Sequence, residues 1–167
     1  MNAAQIHLAL NHAPLFLSAL GGVILIIGMI RKNESFKVLS LYLLAAAAIF
    51  TIPVFLTGEG TEELVEHLPG VSENSIEKHE EMAKISLIVI AISGVAALAG
   101  IFLRKKASMA KVVFALCLVL SLASFGTMAQ TAHLGGLIRH SELQAGNPAT
   151  DANGNEDKDD EDKEDDD

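Results

Sequence analysis

The chain contains no tryptophan, one tyrosine and one cysteine among 167 residues. With Tyr42 as its only large amphipathic ring, it lacks the interfacial aromatic belt that fixes depth in many membrane proteins. The single Cys117 excludes an intrachain disulfide, a CxxC pair and the CxxCH attachment of c-type haem. No phosphate loop and no nucleophile–base pair is legible, which argues against nucleotide hydrolysis and other hydrolase chemistry. Basic residues are scarce, 12 Lys and Arg against 21 Asp and Glu. The resulting net charge of −9 leaves nucleic acid outside the expected partners. Charge is missing entirely from residues 13–30, 38–56, 85–103 and 112–132. A permeation route usually needs ionisable groups at mid-depth, so a transporter is not expected.

Those four uncharged stretches are the main content of the chain. Each comes close to the ~20 apolar residues that a membrane helix requires, and half of all residues are hydrophobic. The expected fold is all-α: a four-helix transmembrane bundle, up-down-up-down, over residues 1–143. The helices are placed at about 5–30, 36–57, 75–103 and 111–141. A short amphipathic helix is expected at 61–68, with Thr61 as its N-cap and Glu62 and Glu63 in its first turn. Pro14 either sits in the tolerant first turns of helix one or bends it. Ser72 or Ser75 is the expected cap of helix three. The N-terminus has no basic n-region and no clear small-residue cleavage site follows, so helix one reads as retained. Residues 144–167 are dominated at their end by Asp, Glu and Lys and cannot bury a core. A disordered acidic tail is expected there.

Loop charges orient the bundle. Arg31, Lys32 and Lys37 follow the first run, and Arg104, Lys105, Lys106 and Lys111 follow the third. The middle loop carries eight glutamates against two lysines. The positive-inside rule puts the basic loops in the cytoplasm and both termini outside, as expected for a bacterial inner-membrane protein.

All six histidines then fall at the outer end. On helix four one stripe reads Gly126, Ala129, His133, Gly136, His140. On helix three a stripe reads His79, Ala83, Ser86, Ile90, Ser93, Ala97, Gly100, and on helix one His12, Leu15, Ala19, Gly22, Ile26. Small residues let membrane helices approach closely, so all three stripes are expected to face the interior. Beside a histidine, that smallness would also leave room for a flat macrocycle. Counting ~1.5 Å per residue from the basic end places His12 near roughly 27 Å and His133 near roughly 31 Å, with His7 and His79 near roughly 35 Å.

Three readings follow. In the first, a b-type haem is held by His133 with His12 or His79, His7 lying in the same band. Gly126, Ala129 and Gly136 would then be the contact surface and Arg139 a propionate partner. In the second, a transition-metal ion is bound by imidazoles and carboxylates drawn from His67, His79, Glu63, Glu59, Glu80 and His140. In the third, the histidines are interfacial groups with a structural or pH-responsive role and no cofactor. Besides the lipid bilayer, the partners these readings imply are a basic soluble redox protein docking on the acidic tail, or a larger membrane complex.

The opening His7-Leu-Ala-Leu-Asn-His12-Ala-Pro14 resembles the His-x4-His-x-Pro signature of a bacterial four-helix membrane domain family of unknown function. Thr57-Gly58-Glu59-Gly60, the stretch 63–71, His79-Glu80-Glu81 and Ala132-His133-Leu-Gly135-Gly136 are similar to that family as well. The resemblance spans residues 6–142 and omits the acidic tail. It implies a four-helix inner-membrane protein. The family's histidine pattern is similar to that of membrane cytochrome b subunits, but no settled activity comes with it.

Overall fold

The computed structural model describes residues 2–140; the expected acidic tail, 144–167, lies outside them. Six α-helices follow one another: α1 (Ala3–Leu10), α2 (Ala13–Ile30), α3 (Glu34–Leu56), α4 (Glu59–Val65), α5 (Glu73–Leu103) and α6 (Ala107–Arg139). No strand occurs among the described residues. α1 with α2, then α3, α5 and α6 supply four spans long and apolar enough to cross a membrane. Three-residue loops turn α2 into α3 and α5 into α6. α3 and α5 are joined through α4. Each of α2, α3, α5 and α6 packs mainly on two neighbours, in the cycle α2–α3–α5–α6. This is the four-helix bundle expected from the uncharged runs.

Local chemistry explains the helix limits, and in several places it departs from expectation. Asn2 starts α1 with a capping box, its side chain accepting from the Gln5 amide while Gln5 accepts from the Asn2 amide. Helix one is not continuous. It breaks at Asn11 and His12, because Pro14 has no N–H to give the Leu10 carbonyl and its ring crowds that carbonyl. The short helix begins at Glu59, not at 61, so Thr61 is not its cap. The Thr61 hydroxyl instead donates back to the Thr57 carbonyl at 2.7 Å. Ser72 does occupy the N-cap of α5, without a side-chain capping bond. Helix four starts earlier than expected, at Ala107, and Lys111 lies within it.

The α2–α3 loop closes as a Schellman motif. Asn33 N–H bonds the Gly28 carbonyl at 2.9 Å and Lys32 N–H bonds the Met29 carbonyl at 3.3 Å. That geometry needs a left-handed residue, and Lys32 takes it with φ 52° where glycine is the usual choice. At this basic end Lys37 pairs with Glu34 at 2.7 Å and lies over the Phe114 ring.

The core runs along the bundle axis. Leu25, Leu41, Leu44, Ala45, Ala97, Val113, Phe114 and Cys117 form its basic half. Ala47, Ile90 and Met128 form a second cluster towards the histidine end. Because lipid is as apolar as leucine, this packing stabilises through close van der Waals contact more than through burial from water. At Gly94 any side chain would run into Ala48, so α3 and α5 touch there almost backbone to backbone.

The stripe expected on α5 is buried as read: Ser86, Ile90, Ser93, Ala97 and Gly100 all face inward. On α2 the buried line is Pro14, Ser18, Gly21, Gly22, Leu25 and Gly28, which shares only Gly22 with the expected one. On α6 the expectation fails. The inward residues are Val113, Phe114, Cys117, Ser121, Ser124, Met128 and Thr131, while Gly126, His133, Gly136 and His140 are exposed and Ala129 is half-buried. Two stripes of small residues run along α6, and the one lacking histidine packs inward.

Candidate functional site

At the histidine end two imidazoles are held inside the bundle. His7, on α1, is half-buried, with Nδ1 2.9 Å from the Val54 carbonyl of α3. Val54 lies in the last turn of α3, where helical carbonyls lack backbone donors, so the ring also closes that helix end. His79, on the polar first turns of α5, places Nδ1 2.9 Å from the Thr131 carbonyl of α6. Its ring lies against Gly135, where a Cβ would meet the imidazole Cε1 at 3.0 Å. Donation from Nδ1 to a main-chain carbonyl fixes the tautomer and leaves the lone pair on Nε2. That is the arrangement metal-bound histidines adopt, the second nitrogen being oriented by a hydrogen bond. His7 and His79 lie within electrostatic range of one another and repel when both are charged.

His12 and His133 are arranged differently. His12 is exposed at the α1–α2 break, with Nδ1 bonded to the Asn11 side chain and its ring stacked near Phe16, centroids 6.4 Å apart. His133 is exposed on the outward face of α6. The close approach of Gly22 to Ser121 fixes the register of the antiparallel α2–α6 pair. Stepping ten residues outward on each helix arrives at His12 and Thr131, which puts His133 about 3 Å further out than His12. Both are exposed, and on the face of α6 that carries His133 the space over Gly126 and Gly136 is empty to 4 Å. Arg139 is exposed at the end of α6.

The carboxylates do not join the imidazoles. His67 is exposed and its Nε2 lies 3.3 Å from Glu66, a pair that counts only when the ring is protonated. Glu80 is taken by Lys84 at 2.9 Å, and Glu59 and Glu63 are exposed on α4. His140 caps the end of α6 through its N–H to the Gly136 carbonyl. Among the described residues no three His, Cys, Asp or Glu side chains converge as a metal-binding group. The acidic loop still acts collectively. Slight burial, followed by the neighbouring Glu80, Glu66 and Glu59, holds the Glu62 carboxyl above its ordinary value.

Nothing in the sequence points to the Val54 carbonyl, and Gly135 enters only as part of the family-like segment 132–136. A carbonyl acceptor leaves no trace in residue type, but a glycine level with a histidine on the next helix is a signal that can be searched for.

A family model matches residues 3–142, described as a predicted membrane protein, DUF2231. The chain belongs to this family. Family membership and the four apolar helices together make it an integral membrane protein in contact with lipid. No curated protein and no solved structure matches it.

Proposed function

We propose that this DUF2231 protein is a redox subunit of a bacterial inner membrane, with a histidine-ligated b-type haem at the outer end of the bundle. The Lys and Arg distribution supports an orientation with the basic loops in the cytoplasm and both termini outside. The observation that carries the reading is the anchoring of His7 and His79, whose Nδ1 atoms both face main-chain carbonyls from neighbouring helices. Two imidazoles preset on separate helices would hold the haem iron through their Nε2 atoms. His12 and His133, both exposed and about 3 Å apart in depth, are the second choice of pair. There Gly126, Ala129 and Gly136 would leave room for a macrocycle, and Arg139 would meet a propionate. Bound haem would supply one-electron transfer; the protein's part is to fix the rings and to hold the site at the membrane edge. The acidic tail would steer a basic soluble redox partner, in a salt-dependent manner.

A transition-metal ion is the second reading, favoured by the crowding of carboxylates around Glu62. Their field attracts a cation and disfavours haem propionates.

Absorption spectra of protein purified in mild detergent, oxidised and then reduced, test both readings. Split α and β bands of a b-type haem are expected. They should be lost in His79→Ala and His7→Ala but retained in His67→Ala. Loss in His12→Ala and His133→Ala instead would transfer the ligand role to the exterior pair. A colourless protein with a stoichiometric transition metal would establish the second reading. A colourless, metal-free protein expressed with haem and metals supplied would refute both. For the tail, removing residues after 144 should slow reduction by a basic partner at low salt and leave the spectrum intact. Equal rates would end the docking idea.

A further inference from the structure

Every buried polar side chain among the described residues is a hydroxyl: Ser18, Ser40, Thr51, Ser86, Ser93, Ser121, Ser124 and Thr131. Five of the eight have partners. Ser40, Thr51, Ser121 and Thr131 donate to carbonyls of their own helix, three or four residues back, as hydroxyls in membrane helices commonly do. Ser86 and Thr131 bond each other at 2.8 Å across α5 and α6. Ser18, Ser93 and Ser124 have no protein partner, although each is at most 1% exposed.

The three belong to different helices, and helix register brings them to one level. From the Ser86–Thr131 bond, seven residues along each helix of the antiparallel α5–α6 pair arrive at Ser93 and Ser124. Seven residues make two turns, so both keep the inward face. From the Gly22–Ser121 contact, one turn outward on α2 and α6 reaches Ser18 and Ser124. Ser93 lies ten residues from the end of α5, roughly 15 Å, about half of the ~30 Å hydrocarbon core.

An unpartnered hydroxyl in such a medium keeps its full desolvation penalty. Three at one level, on three helices, are a polar surface that apolar packing does not satisfy. Buried water characteristically takes 2–4 such partners. We infer that Ser18, Ser93 and Ser124 form a mid-membrane water-binding node. Towards the histidine end the buried Ile90 and Met128 separate it from the Ser86–Thr131 pair. Towards the basic end it meets Leu25, Leu41, Leu44, Phe114 and Cys117, all in the apolar cluster.

Hydrogen–deuterium exchange at thiols, read from the S–H stretching band in lipid-reconstituted protein, tests this. The native chain supplies a dry reference, because its only thiol, Cys117, is fully buried in the apolar cluster. With Cys117 replaced by alanine, Ser93→Cys and Ser124→Cys should exchange roughly tenfold or more faster than Cys117 does in the native chain. Ala97→Cys, one turn deeper on α5 and equally buried, should stay at the reference rate and so report an intact bundle. Exchange at positions 93 and 124 no faster than at 117 would overturn the node. Because no haem or metal enters the measurement, its result stands apart from that of the optical test.

Discussion

Gly135 and Gly136 are adjacent on α6, yet alanine should act on them in opposite directions. Alanine in a helix is favoured over glycine by about 1 kcal/mol, and less near a helix end. At Gly136 nothing lies within 4 Å of the added methyl, so Gly136→Ala should stabilise by about 0.5–1 kcal/mol. At Gly135 the methyl would meet His79 Cε1 at 3.0 Å and Nδ1 at 3.2 Å. The ring cannot simply swing aside, because Nδ1 is tied to the Thr131 carbonyl at 2.9 Å. Losing that bond costs about 0.5–1.5 kcal/mol. The propensity gain is therefore cancelled or reversed, and the two variants should differ by roughly 1–2 kcal/mol. Thermal unfolding in one detergent should separate them by roughly 2–8 °C, at the ~2–4 °C per kcal/mol of a chain this size. In a His79→Ala background the difference should vanish, since the clash then has no partner. Equal shifts for the two single variants, or a difference that survives His79→Ala, would refute the seating of His79 on Gly135.

Three other substitutions probe separate parts of the fold. Lys32→Gly relieves the left-handed residue of the α2–α3 turn and should raise stability by about 1 kcal/mol in a denaturant titration; a loss would show that the Lys32 side chain matters more than its φ. Gly94→Leu forces α3 and α5 apart at Ala48 and should destabilise by about 1–3 kcal/mol or more, whereas Gly126→Ala, over open space, should do no harm in the same thermal assay. Glu62 has a raised pKa, so the folded state holds its proton more tightly than the unfolded chain. Its effect on stability is absent below the ordinary value of 4.5 and becomes a penalty as pH climbs through the raised pKa. Glu62→Gln should remove that part of the decline; an unchanged pH profile between wild type and Glu62→Gln would contradict the crowding at Glu80, Glu66 and Glu59.

The spans were legible because lipid leaves so little choice: four uncharged runs, short basic loops and an acidic connection permit few arrangements. The facing of each helix was harder to read. A soluble helix shows its buried side by polarity contrast, but a membrane helix is apolar all round. Residue size was the remaining cue. It worked on α5, where Ser86, Ser93, Ala97 and Gly100 share one face with Ile90. On α6 it offered two answers, and Ser121, Ser124 and Thr131 pack inward where Gly126 and Gly136 had been expected. Rise per residue does not depend on facing, and the α2–α6 register puts His133 about 3 Å further out than His12. Pairing did not follow from depth. The break at Pro14 frees the phase of α1 from that of α2, so His7 turns in to Val54 while His12 stays outside.

That separation has a functional consequence. Were α1 and α2 one straight helix, His7 and His12 would point about 140° apart around a common axis, and one packing decision would set both. Pro14 divides the decision. α1 packs on α3 and α4, apart from the contacts α2 makes with α3 and α6. His7 can then be tuned by the α3 end that it closes, and His12 by Asn11 and Phe16 beside it. A chain built this way can hold one imidazole preset inside the bundle and offer another to whatever meets its surface. Pro14→Ala, by joining the two helices, should disturb both positions at once. The telling comparison is its effect on the optical spectrum against His12→Ala. If His7 and His79 hold the cofactor, joining the helices should damage the spectrum more than deleting the exterior ring, because it rotates His7 away from Val54. The reverse order would mean that the break serves His12.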